Sequence, residues 1–399
     1  MAEEGNAAPA RSWSRVDGID LLRGLAIFFV LMNHINMQLL FAHVPYTRGL
    51  PAQMVSSLVW NGQQGVQIFF AVSGFLITAT SLRRWGAPSR VSVVEFYQLR
   101  FARIAPLLLG LLATLSILHV AGVSHFVVSP KTGGLGRALV AALTFHVNLL
   151  EATRGYLPGS WDILWSLSVE ETFYLFFPLA SRVLGRGKWL IALLLMFVAL
   201  GPFGRTVLTH GNPVWREYSY LGGMDAIAMG CLTALALHGR MLSRAWLRVF
   251  GIAGGGLLVF CLAFSRTAEV LLTEHTGLYM SAIGLGASML IAVAAQTGWR
   301  SPRVLAPLLF AGQRSYEVYL THMFLVVGGF ALFAAIGKPV AGVPVLFVLV
   351  IAAAVLLGEA VARFYSEPMN RRLRERWGDG ARRLGSVMET APAGEGVLR

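Results

Sequence analysis

The sequence predicts an all-α, polytopic integral membrane protein with about ten transmembrane helices and both termini in the cytoplasm. Three observations predict this fold class. The 399 residues are 56% hydrophobic and only 13% charged, whereas soluble domains carry about 25% charged residues. Mean hydropathy is +0.63, and one bilayer crossing needs about 20 apolar residues. The 33 basic residues, against 20 acidic ones, lie mainly between apolar runs, which favours a membrane surface over nucleic acid as their partner.

The apolar runs predict the individual spans in order. The first run, 19–41, is too long for a signal-peptide core and has no small-residue cleavage site behind it, so it predicts a retained span. Nine further runs cover 65–82, 104–122, 161–181, 189–206, 223–239, 247–265, 277–296, 310–336 and 341–362. The shorter segment 137–150 has a length typical of an interfacial or re-entrant helix.

The distribution of arginine favours ten spans over eleven. With ten spans, the inner side receives the basic clusters at 83–103, 182–188, 240–248, 300–303 and 371–376. An eleventh span at 137–150 would place most of these arginines outside, against the positive-inside rule. We therefore expect a cytoplasmic segment 1–18, a membrane domain 19–370 and a basic, disordered cytoplasmic tail 371–399.

Ionisable groups within spans are costly, so each is a candidate functional residue. In the first span, Arg23 and His34 are separated by eleven positions, which places them on one helix face about 16 Å apart along the axis. The structural interpretation makes Arg23 an interface anchor paired with Asp20, and His34 a polar contact between helices.

The third and fourth spans contain two more constellations. RFARIAP places Arg100 and Arg103 on one helix face, where two guanidinium groups can bind phosphate or simply satisfy the positive-inside rule. WSLSVEETFYLFFP contains Glu170 and Glu171 at adjacent positions. Because adjacent helical residues point about 100° apart, we expect at most one of them to face a given cavity.

The ninth span contains QRSYEVYLTHMF, which places Tyr316, Glu317 and His322 in one helix. A structural interpretation pairs Glu317 with Arg314 and makes His322 a packing residue.

The second span contains Ser73 next to Gly74, a pair that permits close helix approach. Ser73 lacks the strand-turn-helix context of a nucleophile elbow, so packing is favoured over a nucleophilic role. No histidine pair has the i,i+4 spacing of a helical zinc site, and the sequence predicts no metal site.

Taken in order, the Arg23 and His34 spacing, GVQIFFAVSGFLI, RFARIAP, WSLSVEETFYLFFP and RSYEVYLTH resemble the acyltransferase-3 family of integral membrane acyltransferases. The resemblance covers about 20 to 370, and family members are similar in having ten membrane helices. It implies a membrane-bound O-acyltransferase that moves an acyl group, usually acetyl, from cytoplasmic acyl-CoA to a hydroxyl of a carbohydrate, a lipid-linked glycan or a glycosylated small molecule. We expect the bacterial inner membrane as location, acyl-CoA as donor substrate, no permanently bound cofactor and no nucleic-acid partner.

The resemblance also implies roles for residues that match its motifs. His34 and Glu170 are the expected catalytic residues, with His34 as the base and Glu170 orienting or charge-stabilising its imidazole. Arg23, Arg100 and Arg103 are the expected donor-binding residues. Supporting positions are Asp20, Ser73, Trp165, Glu171, Tyr316, Tyr319 and His322.

The alternative function is transport, because intramembrane histidine, glutamate and arginine residues also form proton relays. A proton-coupled transporter or exporter of a glycan or an acylated small molecule could use the same side chains. The inner arginine pair and the absence of the internal repeat typical of many transporters favour the enzyme.

Overall fold

The computed structural model describes residues 16–273 and 276–377, and this part of the chain is helical without any strand. Every predicted span contains a long helix. These helices are α1 (Asp17–Phe41), α2 (Gly62–Trp85), α3 (Val93–Val120), α4 (Leu164–Leu184), α5 (Trp189–Thr206), α6 (Tyr220–Leu237), α7 (Arg244–Ala263), α8 (Leu278–Thr297), α9 (Ser315–Ala335) and α10 (Val343–Val361). Most of the predicted N-terminal segment, 1–15, and most of the predicted tail, 378–399, lie outside the described residues.

Shorter helices fill the connections between the long ones. They are Ala52–Val59, Gly134–Leu143, Val147–Arg154, Gly159–Asp162, Pro213–Tyr218, Ser265–Thr273 and Ala306–Gln313. The segment 137–150 is divided between two of them, because Phe145 adopts a positive φ of 56°. Neither piece is long enough to cross a bilayer, which agrees with the prediction that this segment is no span.

Nine of the long helices within the described residues are long and apolar enough to cross a membrane, and α4 is the exception. Two adjacent carboxylates, Glu170 and Glu171, lower the hydropathy of α4. The prediction of an all-α, multi-pass membrane protein is confirmed, with nine helices rather than ten meeting the length and hydropathy required.

The predicted ninth span is interrupted at Arg314, between Ala306–Gln313 and α9. The Arg314 side chain reaches Glu359 and Glu367 near the end of α10. Glu317 instead accepts a hydrogen bond from the Ser366 hydroxyl at 2.9 Å. The interpretation that pairs Arg314 with Glu317 is therefore wrong, because tertiary contacts with the last helix replace the local i,i+3 pair.

Small residues bring the helices around α2 into close contact. A Cβ added to Gly74 would lie 1.9 Å from the Ile227 carbonyl oxygen of α6, and one added to Gly230 would lie 2.0 Å from the Ala71 carbonyl oxygen. The predicted close helix approach at Gly74 is confirmed. It fixes α2 as one wall of the cavity described below, because no larger residue fits at this crossing.

Candidate active site

A cavity of about 580 Å³ opens among α1, α2, α3, α4 and α9. Eight of the predicted site residues line it: Arg23, Ser73, Arg100, Arg103, Glu170, Glu171, Tyr316 and Tyr319. Asp20 lines a smaller neighbouring cavity together with Arg23. His34, Trp165 and His322 lie behind the walls of the larger cavity rather than on them.

A cluster of charged groups occupies the middle of the cavity wall. Arg100 donates a hydrogen bond to Glu171 at 2.9 Å and lies 3.7 Å from the nearest Glu170 oxygen. Its guanidinium also covers the Tyr174 ring, 3.7 Å from the ring centroid. Both carboxylates thus face one cavity. The expectation that only one would do so is wrong, because Arg100 approaches from α3 between the two side chains.

Glu170 lies in a hydrogen-bond network that the sequence did not predict. The Ser73 hydroxyl donates to Glu170 and also contacts the Tyr174 hydroxyl. Tyr174 donates to the same Glu170 oxygen at 2.8 Å. The expected contact of Glu170 with His34 is not formed, since these neighbours come from α2, α3 and α4 while His34 pairs elsewhere.

His34 and His322 form a pair of hydrogen-bonded imidazoles between α1 and α9. His322 Nε2 lies 3.0 Å from His34 Nδ1, and His322 Nδ1 lies 2.6 Å from the Tyr319 carbonyl oxygen. A carbonyl oxygen only accepts, so in the neutral imidazole His322 Nδ1 carries the proton and His322 Nε2 is the acceptor. His34 Nδ1 must then donate to it, which leaves the His34 Nε2 lone pair unused in this contact.

Burial distinguishes the two imidazoles. His322 is fully buried, at 0% exposure, whereas His34 is only partly buried. The packing interpretation of His322 misses its polar role, because both of its ring nitrogens are engaged. His34 is therefore the less buried of the two imidazoles.

Tyr319 forms the boundary between the cavity and the histidine pair. Its hydroxyl lies 2.6 Å from the Ser166 hydroxyl and donates to the Ile163 carbonyl oxygen at 2.9 Å. Its ring centroid is 5.9 Å from that of His322. Ser166 also lines the cavity. It is the residue after Trp165 in the quoted motif, and the sequence did not predict it as a site residue.

The remaining predicted residues occupy defined positions. Arg23 donates to the Ser315 hydroxyl at 3.1 Å and to Asp20 at 3.3 Å, so the i,i+3 pair considered for it is formed. Tyr316 donates to the Ile104 carbonyl oxygen at 3.1 Å. Trp165 stacks on Tyr218 with ring centroids 4.2 Å apart.

The Trp165 side of the site contains a second pair of carboxyl groups. Tyr218 donates to Asp162 at 3.3 Å, and Asp162 lies within hydrogen-bonding reach of Glu151. Burial raises the pKa of both carboxyl groups, which favours a shared proton between them. In residues 16–273 and 276–377, no group of three or more histidine, cysteine or acidic residues could hold a metal ion.

Comparison with known proteins decides the family. The sequence profile of the family described as "Acyltransferase domain" matches residues 16–359. The chain belongs to the acyltransferase-3 family. The match begins one residue before α1 and includes every long helix except the last residues of α10, so it covers the whole cavity apart from Arg374.

Three curated bacterial relatives are similar to the chain. O-acetyltransferase OatA of Staphylococcus aureus is 25% identical over 325 residues, 78% of this chain and 50% of the relative. Peptidoglycan O-acetyltransferase OatA of Listeria monocytogenes is 26% identical over 332 residues, 77% of this chain and 49% of the relative. The putative peptidoglycan O-acetyltransferase YrhL of Bacillus subtilis is 25% identical over 331 residues, 78% of this chain and 49% of the relative. The chain thus spans about half the length of these relatives. No solved structure matches it significantly.

Proposed function

We propose that this protein is a membrane-bound O-acyltransferase that moves an acetyl group from acetyl-CoA to a hydroxyl of a carbohydrate. The observation that carries the proposal is the cavity, which extends from a group of arginines to Tyr319, the neighbour of the His34 and His322 pair. Acyl transfer from a thioester requires a clamp for an anionic donor and a base for the acceptor hydroxyl. The arginines at one end of the cavity supply the clamp, and His34, paired with His322 next to Tyr319, supplies the base.

His34 is the proposed base. Its Nε2 takes the proton of the acceptor hydroxyl as the oxygen attacks the thioester carbonyl carbon. The resulting tetrahedral intermediate then expels the thiolate of coenzyme A, which takes the proton back from the imidazolium. His322 is a positioning residue, because its Nε2 accepts from His34 Nδ1 and thereby keeps the His34 Nε2 lone pair available.

The location and acceptor follow from charge and from the relatives. The arginine-rich mouth of the cavity belongs at the cytoplasmic face, since basic residues are retained on that side. This arrangement suits the inner membrane of a bacterium, where acetyl-CoA is on the cytoplasmic side. The names of two relatives specify peptidoglycan O-acetylation, which supports a peptidoglycan glycan as the first acceptor class to test.

The test is release of free thiol from acetyl-CoA by the purified full chain in nanodiscs, with and without soluble peptidoglycan fragments. We expect His34→Ala to lose at least about 100-fold in rate, the range of general base catalysis. His238→Ala is the matched control, because His238 is an exposed histidine at the end of α6. A wild-type rate in His34→Ala would reject the base assignment. If no acyl-CoA yields thiol with any glycan acceptor, proton-coupled transport replaces the enzyme.

A further inference from the structure

Several arginines converge on one mouth of the cavity without carboxylates to neutralise them. Six arginines line the cavity, against the two glutamates of α4. Arg84 is paired with Glu95, and Arg100 is held by Glu171. Among the described residues, Arg83, Arg103 and Arg374 form no ion pair with a carboxylate.

Arg103 and Arg374 are close enough to repel each other. The charges of Arg103 and Arg84 act on Arg374, and the charge of Arg103 acts on Arg23. The positive-inside rule requires basic residues near a membrane surface, but it does not require them to face one cavity. Converging guanidinium groups are unfavourable unless an anion offsets their repulsion. This arrangement therefore indicates an anionic ligand at the mouth.

Arg374 is brought to the mouth by the helical segment that continues beyond α10. A π-helical turn, Ala362–Ser366, links the two, and π-helical turns are frequent at functional sites. Three contacts hold this segment against its neighbours. Tyr365 donates to the Pro106 carbonyl oxygen at 3.0 Å, Glu367 pairs with Arg314, and the Trp377 ring lies 6.2 Å from that of Phe101.

We propose that Arg83, Arg103 and Arg374 form a phosphate-binding site for the nucleotide end of the thioester donor. The identity of this ligand rests on the proposed function. Guanidinium groups bind phosphate oxygens in a bidentate manner, and three of them from separate helices suit a ligand with several phosphates. Arg374 lies beyond the residues that the family profile matches, so the profile does not describe this part of the site.

The role of Arg100 differs from the donor-binding role that the resemblance implies. Arg100 is engaged by Glu171 and by the Tyr174 ring, so it lines the path of the pantetheine arm instead of binding phosphate. The cavity volume of about 580 Å³ is in the range of pockets for small ligands. The nucleotide then lies at the mouth, where Arg83, Arg103 and Arg374 are exposed.

The experiment compares two donors in Arg374→Gln and Arg83→Gln. In nanodiscs of zwitterionic lipid, we expect the KM for acetyl-CoA to rise about tenfold or more, as for loss of a charged hydrogen bond. The KM for S-acetylpantetheine, which has no phosphate, stays unchanged. Arg372→Gln is the matched control, because Arg372 is exposed on the same segment but does not line the cavity. An unchanged KM for acetyl-CoA, or an equal rise for both donors, overturns the site.

Direct titration with free coenzyme A separates this inference from the proposed function, because it requires no turnover. Weaker binding in Arg374→Gln without acyl transfer by the wild type retains the site and rejects the function. Turnover by the wild type with equal coenzyme A affinity in both proteins rejects the site alone. Adding phosphatidylglycerol to the nanodiscs tests a lipid headgroup as the source of phosphate. If Arg374→Gln alters only the response to this lipid and leaves coenzyme A affinity unchanged, the donor site is rejected.

Discussion

Two arginine–carboxylate centres in this protein differ in how completely they are enclosed. The first joins α5 and α6 through Arg205 and Asp225. Arg205 donates to both Asp225 oxygens at 2.7 Å, to the Ser281 hydroxyl at 3.0 Å and to the Gly277 carbonyl oxygen at 3.1 Å. Asp225 is 0% exposed and also accepts from Gln67 at 3.0 Å. This centre is saturated by its own protein partners.

The second centre, Arg100 with Glu170 and Glu171, is incomplete. The Arg100 Nε is buried without a hydrogen-bond partner, and all three side chains line the cavity. Glu170 accepts hydrogen bonds from the hydroxyl groups of Ser73 and Tyr174. These hydroxyl groups can reorient more readily than a backbone amide.

The comparison shows that a buried ion pair is not by itself evidence of a functional site. Both centres cost desolvation energy. In a saturated pair, the hydrogen bonds offset this cost and favour one specific helix arrangement. An unsaturated pair at a cavity leaves hydrogen-bonding capacity for a bound molecule. We therefore expect the Arg205 centre to control stability and the Arg100 centre to control activity.

The largest expected effect is on stability, in Asp225→Ala. The change leaves Arg205 buried without its carboxylate, which costs about 3–5 kcal/mol, and the melting temperature in detergent should fall sharply. The double variant Arg205→Met with Asp225→Leu removes both charges and should recover part of the loss. An unchanged melting temperature in Asp225→Ala would show that the saturated centre contributes nothing to the fold.

The second-largest expected effect is a loss of activity in Arg100→Gln. Loss of the guanidinium leaves two adjacent carboxylates in the cavity wall, and thiol release from acetyl-CoA should fall by about 100-fold, the scale of a lost electrostatic stabiliser. The melting temperature should fall less than in Asp225→Ala, because the cavity admits water to the carboxylates. Equal losses of melting temperature in the two variants would contradict the distinction between the centres.

The smallest expected effects distinguish the two glutamates of the Arg100 centre. Glu171→Gln removes the carboxylate that Arg100 contacts at 2.9 Å, so it should lower the melting temperature more than Glu170→Gln. Glu170→Gln disturbs the acceptor of Ser73 and Tyr174 and should reduce thiol release by about tenfold, as for loss of a charged hydrogen bond. Both are measured by melting temperature and by initial rate. A larger loss of thiol release in Glu171→Gln than in Glu170→Gln would assign the activity to Glu171.

The structure also shows which site residues could be found from the sequence and which could not. Arg23, His34, Arg100, Glu170 and Glu171 are charged or titratable groups in apolar runs, and such groups are conspicuous. Arg205 and Asp225 carry the same signal within predicted spans, although nothing in their spacing indicates that they pair. Tyr174 and Arg374 were not predicted as site residues, because an aromatic residue and a basic tail residue are ordinary in their surroundings.

The sequence by itself determined the helical membrane architecture, since the length of each apolar run and the charge between runs are local properties. It also determined that titratable groups lie within the membrane. Only the tertiary structure decided their partners: His34 with His322 and not Glu170, and Arg314 with Glu359 and not Glu317. These pairs join residues far apart in the chain, and which of them meet depends on how the helices rotate and pack, a property that no single run encodes.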